Sequence, residues 1–224
     1  TYGFDVNSNR TRSTSSDCAG QAATSTSWAY NAGDAQVTGA DGQGSYVYDA
    51  FGRQTTIPKA DTPTGAGDIS IGYYDDDAAQ MLVQGGVVTT FTRDAAGRRL
   101  VQDTSAWATT PEAESAVGSL ERHYSDDSDN PAWVSFEGGS QRYLPGVGGD
   151  LGLQMTTRGG TATTELTVTN PHGDVVTTIP LGDGDTVMGI SAWSDYTEYG
   201  TPRIPATTGR VEGAAGYCLL YTSD

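Results

Sequence analysis

Ser45-Tyr46-Val47-Tyr48-Asp49-Ala50-Phe51-Gly52-Arg53-Gln54 reads as strand, tight turn, strand. Tyr46, Val47 and Tyr48 are aromatic or β-branched, the types that fit a pleated, half-buried surface. Tyr46 and Tyr48 share one face because strand side chains alternate. Asp49 opens a turn by bonding its own backbone, and Gly52 closes it by supplying a positive φ. A four-residue loop ending in glycine fits the common hairpin lengths. Residues 53–57 resume the extended pattern and Pro58 stops it.

The same frame recurs. Tyr2-Gly3-Phe4-Asp5-Val6-Asn7-Ser8-Asn9-Arg10 matches it, with Ser8 at the glycine position. Trp28-Ala29-Tyr30-Asn31-Ala32-Gly33 carries Asn31 for the aspartate, and Tyr73-Tyr74-Asp75 lacks the glycine and the arginine. Phe91-Thr92-Arg93-Asp94-Ala95-Ala96-Gly97-Arg98-Arg99 is complete at the turn. His123-Tyr124-Ser125-Asp126 and Tyr196-Thr197-Glu198-Tyr199-Gly200 are weaker copies. The first five turns are spaced alternately by about 26 and about 18 residues, so every second turn recurs at about 44, in the range of stacked supersecondary units. An ordinary antiparallel sandwich with Asp-Gly turns accounts for one or two such matches, not for an alternating series. The pairs Asp49 with Arg53 and Asp94 with Arg98 are placed to close their turns by side-chain bonding. A β-branched residue at Gly52 or Gly97 is expected to weaken its hairpin, because it resists positive φ.

This series is the YD-repeat pattern, and the chain resembles the RHS-repeat proteins, which include the bacterial teneurin-like proteins. Two further stretches resemble the segment leading into that family's RHS-associated core. They are Arg142-Tyr143-Leu144-Pro145-Gly146-Val147-Gly148-Gly149-Asp150-Leu151 and Leu166-Thr167-Val168-Thr169-Asn170-Pro171-His172-Gly173-Asp174-Val175-Val176. Asp195-Tyr196-Thr197-Glu198-Tyr199-Gly200-Thr201-Pro202-Arg203 resembles the next element of that core. The resemblance covers most of the chain. It implies an all-β fold, an antiparallel sheet of repeated β-hairpins that forms part of a curved shell.

The resemblance also implies a non-catalytic scaffold, secreted or at the cell surface. Its partners would be neighbouring repeats of the same polypeptide and a downstream toxin domain used in competition between bacteria. The family's autoproteolytic core ends in an Asp-Pro-x-Gly segment. This sequence contains none, so neither the cleaving aspartates nor a toxin is assigned to it. The alternative is a surface adhesion or carbohydrate-binding module. Exposed rows of Trp and Tyr on one face would mark that module, whereas aromatic residues turned to an interior would mark the shell.

Composition narrows the function classes. The formal charge is −16 and Lys59 is the single lysine. Such acidity argues against nucleic acid, whose binding rests on neutralising phosphates, and against anionic lipid. It serves solubility. Tyrosine is the commonest aromatic, 12 against 4 phenylalanines, which suits half-wet sheet faces. No apolar run approaches the length that spans a bilayer. No signal peptide opens the chain, and Thr1 starts directly in a repeat, so the chain is expected to be a fragment with its export signal upstream.

The closing residues Cys218-Leu219-Leu220-Tyr221-Thr222-Ser223-Asp224 abandon the composition of the rest. They are also the translation of TGT CTC TTA TAC ACA TCT GAC, which matches a transposase adapter used in sequencing libraries. Residues 218–224 are therefore expected to be an adapter-derived artefact, a reading that a native frame at the locus would refute. Cys18 then stands alone, and cysteine pairing gives no redox compartment.

Residues 1–105 are expected to hold YD-repeat hairpins, and residues 106–130 a connection. Within it Pro111, Glu112 and Glu114 followed by an Ala-rich stretch suit a short helix over 106–120, with a long loop as the alternative. Residues 131–217 continue the repeats into the start of the RHS core. Strands are expected at 69–74, on both sides of Gly85-Gly86, at 132–136, 141–144, 151–157, 163–169, 174–179 and 187–193. Turns separate them at Gly138-Gly139, Arg158-Gly159-Gly160 and Gly182-Asp183-Gly184-Asp185.

No residue pattern points to catalysis. His172, Gly173 and Asp174 form a Pro-His-Gly-Asp turn, and a catalytic base would need a nucleophile and an orienting acid beside it. His123 precedes Tyr124 on a strand. The two histidines lack metal-ligand spacing. Of the acidic clusters, Asp126, Asp127 and Asp129 offer the most oxygens for calcium, but without the bend glycine and late glutamate of an EF-hand. Asp75-Asp76-Asp77 and Asp183-Gly184-Asp185 read as solvated turns. No cofactor is expected.

Overall fold

The computed structural model describes residues 1–15, 24–62, 65–107, 117–146, 151–171, 173, 175–182, 190 and 194. Its strands follow the expected hairpins. β1 (Tyr2–Phe4), β2 (Arg10–Ser15) and β3 (Thr24–Ser27) form a three-stranded antiparallel sheet. A second, open sheet has twelve strands: β4 (Val47–Tyr48), β5 (Gln54–Ile57), β6 (Ile69–Tyr73), β7 (Ala79–Gln84), β8 (Val87–Arg93), β9 (Arg99–Ala106), β10 (Gly118–His123), β11 (Trp133–Phe136), β12 (Gly139–Pro145), β13 (Leu151–Arg158), β14 (Thr161–Thr169) and β15 (Val175–Leu181). Strand order in it is sequence order throughout. Short loops force this, because each strand folds back on the one before it.

The chain divides into two units, Thr1–Thr92 with Gln102–Gly118, and Arg93–Val101 with Ser119–Asp224. In the first, Pro58 does end β5, and a single 3₁₀ turn over Lys59–Asp61 follows. Pro58 is fully buried. A Cβ added at Gly44 would stand 2.6 Å from its ring, so the loop ahead of β4 needs glycine there. Asp61 organises the same loop: its carboxylate accepts from the Tyr46 hydroxyl at 2.6 Å, Gln36 Nε2 at 3.1 Å and the Ala40 N–H at 2.9 Å.

In the second unit, the faces of the sheet are loaded unusually. Gln141 Nε2 donates to Gln154 Oε1 at 2.6 Å, and the Tyr143 hydroxyl donates to Gln141 Oε1. Gln154 is 2% exposed and Thr167 and Thr178 are buried. On the opposite face Leu144, Leu153, Leu166 and Ile179 stand in one directly paired row across β12 to β15. Leu144 and Leu166 in that row are 42% and 40% exposed. Phe91, Val134 and Val175, with the prolines Pro58 and Pro131, are the buried apolar side chains among the described residues. So small a core leaves stability to backbone ladders and to side chains that bond the backbone.

Several expectations need correction or fall outside the described residues. The short helix over 106–120 begins and ends in strand, at Ala106 in β9 and Gly118 in β10; residues 108–116 lie outside the described residues. So do Cys18, the strand at 187–193 apart from Ile190, the cluster Asp183-Gly184-Asp185, and residues 195–224, Cys218 included. The copy read as Tyr73-Tyr74-Asp75 is shifted by one residue. Tyr74, not Asp75, opens the turn, donating its N–H to the Ala78 carbonyl at 2.8 Å.

Candidate functional site

Five turns share one backbone geometry: residues 5–9, 31–35, 49–53, 74–78 and 94–98. In each, the first N–H donates to the fifth carbonyl at 2.8–3.0 Å, and the fourth N–H donates to the first carbonyl at 3.0–3.2 Å. The fourth residue is left-handed: Ser8, Asp34, Gly52, Asp77 and Gly97, with φ of 70°, 62°, 82°, 67° and 86°. In four of the five, the first side chain caps the loop. Oδ1 of Asp5, Asn31, Asp49 and Asp94 accepts the third and fifth N–H groups at 2.8–3.1 Å. Tyr74 has no such oxygen, and Asp76 reaches the Ala78 N–H at 3.4 Å instead.

Asp49, Gly52 and Arg53 share one turn, and so do Asp94, Gly97 and Arg98. Arg53 Nε donates to Asp49 Oδ2 at 2.7 Å, and Arg98 Nε donates to Asp94 Oδ2 at 2.9 Å. Desolvation pushes the Asp49 carboxyl up, but the bonds from the Arg53 side chain, the Arg53 N–H and the Phe51 N–H outweigh it and hold it below the usual carboxylate value. For Asp94 desolvation is likewise outweighed, by the Arg98 N–H and then the Arg98 side chain. Asp5 is lowered chiefly by the Asn9 side chain.

Both arginines also reach past their own loop. Arg53 Nη1 donates to the Tyr74 carbonyl at 3.2 Å and to Asp77 Oδ1 at 3.0 Å. Arg98 Nη1 donates to the carbonyls of Asp126 and Ser128 at 2.7 and 3.3 Å. Asn7 Nδ2 and Asn9 Nδ2 both donate to Asp34 Oδ1 at 2.8 Å. Each arginine lies over an aromatic ring of the next hairpin as well, Arg53 at 5.0 Å from Tyr73 and Arg98 at 4.1 Å from Tyr124.

The tyrosines supply a second, unexpected link. Tyr30, Tyr48 and Tyr73, each one residue ahead of a turn opener, and Tyr124 just after β10 hang over the preceding hairpin and bond the carbonyl just after its turn. Tyr30 donates to the Arg10 carbonyl at 3.2 Å, Tyr48 to Gln36 at 2.8 Å, Tyr73 to Gln54 at 2.5 Å and Tyr124 to Arg99 at 2.7 Å. Burial raises the hydroxyl pKa of Tyr30, Tyr73 and Tyr124, so they stay donors. Nothing in a Tyr-Asp pair announces this partner. The signal was the shared position of Tyr30, Tyr48 and Tyr73, one residue ahead of their turns.

The remaining candidates are placed as follows. Gly173 is left-handed at φ 85° and donates its N–H to the Asn170 carbonyl at 2.9 Å, as a turn requires; His172 and Asp174 lie outside the described residues. His123 stacks on Trp133 at 3.5 Å, and its Nε2 lies 3.0 Å from the Ser135 hydroxyl. Asp126, Asp127 and Asp129 do not gather as calcium ligands: no metal-holding group of three acidic, histidine or cysteine residues occurs among the described residues. Asp126 is occupied by its own loop, accepting from the Ser128 N–H and hydroxyl at 2.9 and 2.6 Å. No helix among the described residues is long and apolar enough to cross a membrane.

No family model and no curated protein matches the chain. A crystal structure of TcdB2-TccC3 matches 97% of this chain and 10% of that chain, at 13% identity and a TM-score of 0.59. That likeness shows the fold, an all-β antiparallel sheet of hairpins. Crystal structures of TcdB2-TccC3-Cdc42 and TcdB2-TccC3-TEV each match 90% of this chain and 12% of theirs, at 11% and 12% identity with TM-scores of 0.47 and 0.44. The chain spans 10–12% of the length of these solved structures.

Proposed function

We propose that the chain is a wall segment of a secreted or cell-surface RHS-type shell that encloses or presents a C-terminal toxin, and that it has no catalytic site of its own. The observation that carries this reading is the ladder of linked turns. Side chains that draw attention as chemistry, Asp49, Arg53, Asp94 and Arg98, bond their own loop, and the two arginines also bond the next one. Such bonding builds a wall hairpin by hairpin. The fold likeness to TcdB2-TccC3 supports the architecture, and the RHS resemblance of the sequence supports the role. Neighbouring repeats of the same polypeptide are then the nearest partners, and the toxin domain is the cargo.

The adhesion reading asks for an exposed aromatic row. Phe4, Phe51 and Trp107 are the large aromatics exposed among the described residues, and Tyr30, Tyr48, Tyr73 and Tyr124 turn their hydroxyls onto backbone. Sequencing of the locus beyond the codon for Gly216 tests the choice. A completed core followed by an unrelated small domain and an immunity-like gene is the expected result. A stop codon or a wall anchor at that point would remove the toxin-carrier reading.

A further inference from the structure

The five turns differ in their fourth and fifth residues, and the differences alternate. The first, third and fifth turns end Ser8-Asn9, Gly52-Arg53 and Gly97-Arg98; the second and fourth end Asp34-Ala35 and Asp77-Ala78. In the odd turns the fifth side chain carries N–H donors, the amide of Asn9 or the guanidinium of Arg53 and Arg98. In the even turns it is a methyl group, which can donate nothing. The fourth residue alternates in the opposite sense. An aspartate occupies the left-handed position in the even turns, where glycine carries no steric cost.

The links between turns follow the same alternation. Asn9 Nδ2 donates to Asp34 Oδ1 at 2.8 Å and Arg53 Nη1 donates to Asp77 Oδ1 at 3.0 Å. One donor is a neutral amide and the other a guanidinium, yet each meets the carboxylate of the left-handed residue in the following turn. The fifth turn gives its arginine to the Asp126 and Ser128 carbonyls, in a loop of other geometry. Ser8, in an odd turn, has φ of 70° and no such incoming bond among the described residues.

We propose that the turns belong to two classes, donor and acceptor, and that Asp34 and Asp77 make their turns acceptors for the turn before. The even copies are then not decayed forms of the Asp-x-x-Gly-Arg turn. They are its complement, and the repeating unit is a donor turn followed by an acceptor turn. The longer of the two alternating spacings separates partners, and the shorter separates one pair from the next. Left-handed aspartate is kept because its carboxylate receives the neighbouring side chain, which glycine cannot do. This goes beyond the shell reading and does not depend on what the shell encloses.

Substitution of the left-handed residue tests it in the full chain. If Asp77 served only the turn, Asp77→Gly would relieve strain and raise Tm, as Ser8→Gly should at the donor turn. With Asp77 as acceptor, Asp77→Gly instead lowers Tm by about 1–3 °C, the scale of one partly exposed ion pair in a chain this long. Amide exchange at Ala78 then quickens about 3- to 10-fold through local opening. Asp77→Asn, which keeps an acceptor oxygen and tolerates the left-handed conformation, restores most of the protection. In an Arg53→Ala background the Asp77→Gly loss disappears. A rise in Tm for Asp77→Gly like that for Ser8→Gly, or an equal loss with and without Arg53, would overturn the proposal.

Discussion

Asp49 meets three donors with two oxygens. Oδ1 accepts the N–H groups of Phe51 and Arg53, and Oδ2 accepts Arg53 Nε; Asp94 repeats the arrangement with Ala96 and Arg98. Every one of these bonds favours the ionised form, which is why both carboxyls fall below their usual value despite desolvation. The consequence for stability has a definite sign. A folded-state value below the unfolded one, about 3.9, means that the contribution is fully present above about pH 4 and is lost as pH falls through the folded value. An Asp49→Asn, Asp94→Asn variant should therefore melt earlier than wild type at neutral pH and show a smaller fall in Tm on acidification. Melts followed by circular dichroism from neutral pH to below pH 3 measure this; parallel Tm curves for the two proteins would refute it. The pairs themselves were legible, because aspartate, glycine and arginine fall within one short loop. Asp34 and Asp77 were not. An aspartate in the left-handed region is explained by a partner about 25 residues earlier, as the alternating spacing of the units allows, and propensity knows nothing of that partner.

At the scale of elements, hairpins are held to one another by tyrosine. Tyr73 ends β6 and donates to the Gln54 carbonyl at 2.5 Å, at the start of β5, while its ring lies under Arg53. Phenylalanine would keep the ring and lose only the hydroxyl. Tyr73→Phe should therefore cost about 1 kcal/mol, the net value of one intramolecular hydrogen bond. Tyr124→Phe should behave alike in the other unit, where the lost acceptor is the Arg99 carbonyl. Urea unfolding gives the free energies, and values indistinguishable from wild type for both variants would show that the hydroxyls are satisfied equally by water. Strand positions were legible from alternation and from Gly-Gly turns, and β11 to β14 lie close to where those signals put them. The fourth turn misled because three aspartates in a row invite the first as the opener. Its backbone instead follows the left-handed residue, Asp77, and counts back from there. The helical reading of 106–120 drew on alanine and glutamate content, and pairing with neighbouring strands overrode that propensity at both described ends.

For the whole molecule, the sequence made the all-β hairpin array and its acidity plain, but not which face of the sheet is covered. Threonine and glutamine fit either face, and in β12 to β15 the polar side is the more buried one, Gln154 at 2% exposure against Met155 at 42%. With so few buried apolar side chains among the described residues, electrostatics weighs more there than in a thick core. Attraction is local: Arg53 with Asp49 and Asp77, and Arg98 with Asp94, are near-surface pairs at 2.7–3.0 Å, weakened by the water around them. Repulsion is general, since the chain carries a net charge of −16, and self-repulsion opposes the compact state. Salt screens both, with a Debye length of about 10 Å at 0.1 M and about 3 Å at 1 M. Pairs in direct contact are screened less than charges spread over tens of ångströms, so relief of repulsion should win. Tm is expected to rise with sodium chloride between low and near-molar concentration, and the rise should shrink in variants that neutralise exposed acids outside the tips, such as Asp103→Asn. A Tm that falls with salt would mean that the contacts at the turn tips, not the net charge, govern the stability of the array.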